Sequence, residues 1–175
     1  KDCLITRLQA DYPDALTVHR LDMATSGLMV FARGSEAHRT LSKAFADRLV
    51  SKRYIAMVAG ELTGDGEVDL PLITDWPNRP RQMVDPDIGK PSLTRWRVLE
   101  NAEETTRVEL EPVTGRSHQL RVHMMAIGHP ILGDVFYAPP EIERLSPRLL
   151  LHAARLSLPH PVSGENIDFH SAAPF

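Results

Sequence analysis

Two neighbouring stretches, LTRWRVLEN (93–101) and TRVELEPV (106–113), alternate apolar with charged residues and sit a short turn apart. A period of two places one set of side chains on each face of a strand, so the pair predicts an antiparallel hairpin. KRYIAMVAGEL, from about Lys52, reads as another strand, and LLLHAARLSLPHP with ENIDFHS as a final strand pair around a Ser-Gly turn. GLMVFAR, bounded by Gly27 and Gly34, reads as a short strand.

Helical spacing is found in two places. In SEAHRTLSKAFADRLV, Ala37, Leu41, Ala44, Phe45 and Leu49 share one helical face, with Ser35 as the expected N-cap. SHQLRVHMMAIGHP reads as a short helix with Ser117 as cap, Gly128 as its end and Pro130 just beyond. The stretch 61–92 is rich in proline and glycine and reads as irregular. Strands outnumber helices and most are joined as hairpins. The expected class is α+β with a mainly antiparallel sheet, in one domain over residues 1–175.

Composition narrows the function classes. At 42% hydrophobic and 25% charged the chain is globular, and no run approaches the roughly 18 apolar residues a membrane helix needs. One cysteine, Cys3, leaves no internal disulfide and fits a reducing, cytoplasmic setting. The net charge of −3 argues against a uniformly basic nucleic-acid binder. The charge is unevenly spread, however: residues 114–133 hold no acid, while acids gather in 61–69 and 100–111. A basic cleft on an acidic body is therefore expected, with binding of any polyanion weakening as salt rises.

Four stretches carry candidate chemistry. In VHRLDMATSGL, Asp22 stands two residues after Arg20 and before a Thr25-Ser26-Gly27 turn. Local sequence leaves it open between a solvated turn residue, half of an ion pair and a reactive acid held at a loop. In TGRSHQLRVH, Arg116 and Arg121 are five apart and so face different partners. Arg116, at the helix start, suits a phosphate; Arg121, among Leu120, Val122 and Met124, is expected to be half-buried and to need an anion, for which Asp22 is the candidate. Tyr54, beside Lys52 and Arg53, is either a core residue or a platform for an unpaired base. In residues 75–98, Arg79, Arg81, Lys90, Arg95 and Arg97 interleave with Trp76 and Trp96, as either a polyanion surface or a solvated loop. The histidines lack the three- or four-residue spacing of paired helical metal ligands, and Ser26 and Ser117 lack a nucleophile elbow, so no metal site and no serine nucleophile is expected.

Taken together, these stretches resemble the RluA family of RNA pseudouridine synthases. The match is carried by His19-Arg20-Leu21-Asp22 with Thr25-Ser26-Gly27-Leu28, by Tyr54, by Thr114-Gly115-Arg116 with His118-Gln119-Leu120-Arg121-Val122-His123, and by Gly128-His129-Pro130 with Gly133-Asp134. DWPNRP (75–80) resembles the family subtype that modifies both a large-subunit rRNA hairpin and a tRNA anticodon stem-loop. The family's upstream strand segment with its Lys-Pro motif is not visible, so the chain is expected to begin inside the catalytic domain.

The resemblance implies a pseudouridine synthase fold with a catalytic cleft across the sheet. It also implies a cofactor-free, metal-free isomerisation of uridine in RNA hairpin loops by a monomer. Asp22 is implied as the catalytic aspartate, Tyr54 as the group under the uracil that can help remove its C5 proton, and Arg121 as the ion-pair partner of Asp22. Arg20 is implied to fill the space of the extruded base and Leu120 to line the pocket. His19, Arg116, His118, Arg79 and Arg81 complete the expected RNA-binding set. Two other classes remain at this point: a non-catalytic RNA-binding domain on the same scaffold, and a glycoside or nucleoside hydrolase, which needs a second carboxylate near Asp22.

Overall fold

The computed structural model describes residues 2–175. In chain order the elements are α1 (Leu4–Asp11), β1 (Ala15–Thr17), β2 (Ser26–Gly27), β3 (Phe31–Arg33), α2 (Gly34–Ala46), β4 (Ser51–Ala59), β5 (Asp65–Asp69), β6 (Leu72–Thr74), a 3₁₀ turn (Trp76–Asn78), β7 (Gln82–Val84), β8 (Leu93–Ala102), β9 (Thr105–Pro112), α3 (Gln119–Ala126), α4 (Pro140–Glu143), β10 (Leu151–Pro159) and β11 (Asn166–His170). The main sheet runs β11-β10-β4-β9-β8-β5, all antiparallel, with β2 joined to β10 in parallel. The expected α+β class with a mainly antiparallel sheet is what the chain forms.

Alternation sorts the two faces of this sheet. Ala56 and Val58 of β4 and Val108 and Leu110 of β9 point to one side, where Leu120 and Met124 of α3 cover them together with Ile131, Leu149 and Leu151. The residues between them point the other way and pair as ions: Arg53 with Glu111 at 2.6 Å, Arg97 with Glu109 at 3.0 Å. A register shift between Ala153 and Arg155 changes the parity of β10, so that Leu151, Ala153, Leu156 and Leu158 are all buried. Leu156 and Leu158 meet Ala32 and Leu41 in a second cluster beneath α2.

Local expectations fail where tertiary contacts replace them. Only Phe31–Arg33 of the expected 28–33 strand pairs with β1; Ser26–Gly27, read as part of a turn, is instead a strand against β10. Ser35 does not cap α2, whose N-cap position is Arg33, and Ser117 does not cap α3, whose N-cap position is His118; neither site has a side-chain cap. Leu49 lies beyond α2 and is exposed. The stretch 61–92 is not wholly irregular, since β5, β6 and β7 lie within it, each of three to five residues and too short to show a period. The helices α1 and α4 were not anticipated; α1 buries no residue, so no apolar stripe marks it. No helix among the described residues is long and apolar enough to cross a membrane.

Gly27 is the tightest joint of the sheet. Its φ is +109°, and a Cβ there stands 2.3 Å from the Ala153 carbonyl oxygen, a backbone atom that cannot give way. Gly27→Ala is expected to destabilise the protein by more than about 2 kcal/mol and to loosen the loop that carries Asp22. Urea unfolding checks this, and an unchanged midpoint contradicts it.

Candidate active site

Three adjacent strands build the site's floor. Gly27 of β2 lies opposite Ala153 of β10, and Ala153 lies opposite Tyr54 of β4. The chain leaving β1 must therefore run as a loop over the sheet to reach β2, and Asp22 is on that loop. The Thr25 amide donates to the Asp22 carbonyl at 2.9 Å, closing a turn, and the Leu28 amide donates to the Ala153 carbonyl at 2.9 Å. His19 Nε2 accepts the Val30 amide proton at 2.9 Å and its ring stacks on Phe45, which fixes the other end of the loop. A cavity of about 550 Å³ opens between this loop, β4 and the start of α3, lined by Asp22, Arg20, Lys52, Tyr54, Leu120 and Arg121 among others.

Arg121 has two acidic neighbours, not one. It is 97% buried, deeper than the half-burial its setting suggested. Its Nε and Nη2 donate to the two carboxylate oxygens of Asp134 at 2.8 and 2.7 Å. Its Nη1 is directed elsewhere, 3.5 Å from Asp22 Oδ2. The ion pair with Asp22 expected from the resemblance exists, but it is the looser of two. Burial opposes the charge on Arg121, and the hydrogen-bonded Asp134 carboxylate more than restores it, so its pKa lies above the ordinary value. Asp134 is itself fully buried and accepts the Phe136 and Tyr137 amides at 3.0 and 3.2 Å. The rings of Phe136 and Tyr137 lie 5.3 and 5.1 Å from the guanidinium carbon.

Asp134 is a second carboxylate near Asp22, the feature a glycosidase-like mechanism requires. Every oxygen it has is committed to Arg121 and to backbone amides, and it is out of solvent's reach. It is a clamp for the arginine, not a free acid. Asp134 stands in the Gly133-Asp134 motif, but its role arises only where the fold brings residues 121 and 134 together.

The remaining expected residues divide into three groups. Arg20, His19, Arg116, His118 and Leu120 line the cavity with Asp22, Tyr54 and Arg121. Arg116 is exposed, as a phosphate ligand must be, but it stands three residues before α3 begins instead of at its first turn. Arg79 and Arg81 are exposed on the loop after β6, outside the cavity; Arg79 lies 4.6 Å over the exposed Trp76 ring and Arg81 lies 5.8 Å from the Tyr137 ring. Trp96 by contrast packs on the core. Lys52, noted only as part of a basic edge, faces the cavity, and burial holds its pKa below the ordinary lysine value.

The histidines and tyrosines are set by burial. Burial pushes His19 down to about 4, with Lys52 adding to the effect. Burial pushes the Tyr54 phenol up to about 12, with Asp22 reinforcing it. His123, fully buried, gives one ring nitrogen to Thr94 Oγ1 at 2.8 Å and the other to the Leu70 carbonyl at 2.9 Å. His152 bridges Ser26 and Ser171. These bonds account for both ring nitrogens, and no group of three metal-ligating side chains stands together among the described residues.

A family model described as RNA pseudouridylate synthase matches residues 2–126. The chain belongs to the RNA pseudouridine synthases of the RluA family, and its reaction is the isomerisation of uridine to pseudouridine in RNA. It is 54% identical to the Dual-specificity RNA pseudouridine synthase RluA of Escherichia coli (strain K12), over all of this chain and 81% of that protein. It is 52% identical to the protein of the same name from Yersinia pestis, over all of this chain and 86% of that one. Among solved structures, Human RNA Pseudouridylate Synthase Domain Containing 1 superposes with a TM-score of 0.86 at 31% identity, over 98% of this chain and 74% of that one.

Two outcomes follow from the buried charges. Asp134→Asn leaves the Arg121 cation buried with only a loose partner, and breaking such a pair costs roughly 3–5 kcal/mol. Chemical denaturation checks this, and a loss below about 1 kcal/mol places the pair with ordinary surface bridges. Secondly, His19, His118, His123 and His152 all have pKa values held below 6.5 by burial. The unfolded chain takes up these protons near pH 6.5 and the folded chain resists them, so stability is full above that pH and falls as the pH drops through it toward 4. Unfolding midpoints measured from pH 8 to 4.5 check the slope; a midpoint that holds or rises on acidification contradicts it.

Proposed function

We propose that the chain isomerises a flipped uridine in an RNA hairpin loop, with Asp22 as the reactive carboxylate. The observation that carries this is the placement of Asp22 at the cavity, its Oδ2 facing Arg121 Nη1 while Tyr54 lines the same space. The reaction breaks the N1–C1′ bond, turns the base, joins C5 to C1′ and moves the proton lost from C5, ending with a proton on N1. Nothing is consumed. Cleavage builds positive charge at C1′, and a carboxylate beside it can attack or stabilise that centre. The Arg121 guanidinium, 3.5 Å away, aims that carboxylate.

Tyr54 keeps its phenolic proton at neutral pH, which supports a role as the face on which the uracil stacks more than as the base for its C5 proton. Arg20 is exposed at the mouth, where it can enter the stack the base has left. Lys52 and Arg116 place further positive charge along the cavity for phosphates. The exposed Trp76–Arg79 pair and Arg81 extend the surface beyond the cavity and suit the unpaired bases of a loop. The dual specificity in the relatives' names supports two RNA substrates, and the resemblance of DWPNRP (75–80) to the dual-substrate subtype points to an rRNA hairpin and a tRNA anticodon stem-loop. On this reading the chain acts as a monomer, and RNA substrates of this kind support a cytoplasmic setting.

Tritium release from C5-labelled uridine tests the chemistry on hairpins of both kinds. The wild-type chain releases tritium, and Asp22→Asn loses activity by on the order of 10³ or more while still binding RNA. Release by Asp22→Asn at the wild-type rate removes Asp22 from the mechanism.

A further inference from the structure

Asp22 has a second neighbour at its other carboxylate oxygen. His118 Nε2 stands 3.9 Å from Asp22 Oδ1, and its other ring nitrogen, Nδ1, is 2.5 Å from the Tyr137 hydroxyl. That hydroxyl already accepts the Gln82 amide proton at 2.9 Å. Its own proton is therefore free to be donated, and Nδ1 is the acceptor in reach. A neutral imidazole that accepts at Nδ1 carries its proton at Nε2. The opposite tautomer turns a lone pair toward the Asp22 carboxylate.

We propose that His118 is a positioning residue for Asp22, its tautomer fixed by Tyr137 so that a neutral Nε2–H faces Oδ1 while the Arg121 guanidinium faces Oδ2. The proposal rests on the reading of Asp22 as the reactive carboxylate. Each carboxylate oxygen then has one donor aimed at it, which fixes the rotation of the group about its last bond. A second cation at Oδ1 holds the negative charge more tightly and makes the carboxylate a weaker nucleophile or base. A neutral donor orients it without that loss.

Three further features agree. The ring is mostly buried, stacked 5.7 Å from Phe136 and edge-on to Tyr137, so it has little freedom to turn. Burial disfavours its charged form, as do Arg121 and Arg20, against the opposing pull of Asp22 and Asp134. The His118 backbone is left-handed, φ 54° and ψ 15°, one of three non-glycine residues with positive φ among those described. Such conformations are uncommon and concentrate where a side chain must be aimed. The 3.9 Å gap exceeds a hydrogen bond, and catalytic hydrogen bonds of this kind shorten when substrate fills the site.

Two readouts test the proposal on the full chain. Imidazole ¹⁵N shifts report the tautomer without RNA. His118 is expected as the Nε2–H form in the wild type and as a mixture in Tyr137→Phe. The Nδ1–H form, or a charged ring at pH 7.5, overturns the proposal. Turnover on a hairpin RNA is the second readout. His118→Asn suits the left-handed backbone but is too short to reach Asp22, and its kcat is expected to fall about 10- to 100-fold, with KM and the unfolding midpoint little changed. His118→Gln, whose amide N–H reaches the Nε2 position, is expected to recover most of that loss. An unchanged kcat for His118→Asn, or a loss confined to KM, overturns the positioning role while leaving Asp22 as assigned. A wild-type chain that leaves uridine unchanged overturns the assignment of the site and the proposal with it.

Discussion

The site depends on one guanidinium. Arg121 lies out of water on α3, and a buried arginine is tolerated only where anions meet it in good geometry. One edge, Nε with Nη2, is spent on Asp134 in a two-point contact. That contact fixes the plane of the group. The remaining nitrogen, Nη1, then has a defined direction, and it is toward Asp22. Asp22, proposed as the reactive carboxylate, is thus aimed through a second one whose oxygens are all engaged. Asp134 is placed in turn by a tight turn at Gly133, where φ is +74° and a Cβ stands 1.9 Å from the Arg148 carbonyl oxygen.

The fold serves this arrangement by bringing four distant segments together around Arg121, over the middle of the sheet. The loop after β1 supplies Asp22, β4 supplies Tyr54, α3 supplies Arg121, and the turn before α4 supplies Asp134. The parallel pairing of Ser26–Gly27 with β10 sets the height of the first segment over the second. Only a residue without a Cβ permits that approach, and so the Thr-Ser-Gly sequence is a docking strand as much as a turn. On the opposite face of the sheet the ion pairs of Arg53, Arg97, Glu109 and Glu111 remain half in solvent, and neutralise basic residues far from the cavity.

Much of this was legible in the chain because it is periodic. The β8–β9 hairpin, β4 and the β10–β11 pair follow from alternation, and α2 from its apolar face. The site residues were legible as a set: Asp22, Tyr54, Arg121, Arg20 and Leu120 do share one cavity. The failures have a common cause. Ser35 and Ser117 are good caps in isolation, but the chain enters both helices by another route. Asp134 and Tyr137 carry no local signal, since their roles come from contacts made 13 to 55 residues away in sequence. Arg79 and Arg81, expected as part of an extended surface for a polyanion, lie exposed on the loop after β6, outside the cavity.

Arg121 meets both carboxylates at once, and on the proposed reading the target base enters between Asp22 and Tyr54. A crystal structure of the chain with a hairpin RNA carrying 5-fluorouridine at the target position tests it most directly, since fluorine at C5 blocks loss of the C5 proton. The flipped base is expected stacked on Tyr54 with its C1′ beside Asp22, the Arg121–Asp134 contact intact and Arg121 Nη1 drawn to hydrogen-bond distance of Asp22. A base docked away from Tyr54, or an Arg121 that has released Asp22 to bind phosphate, contradicts it.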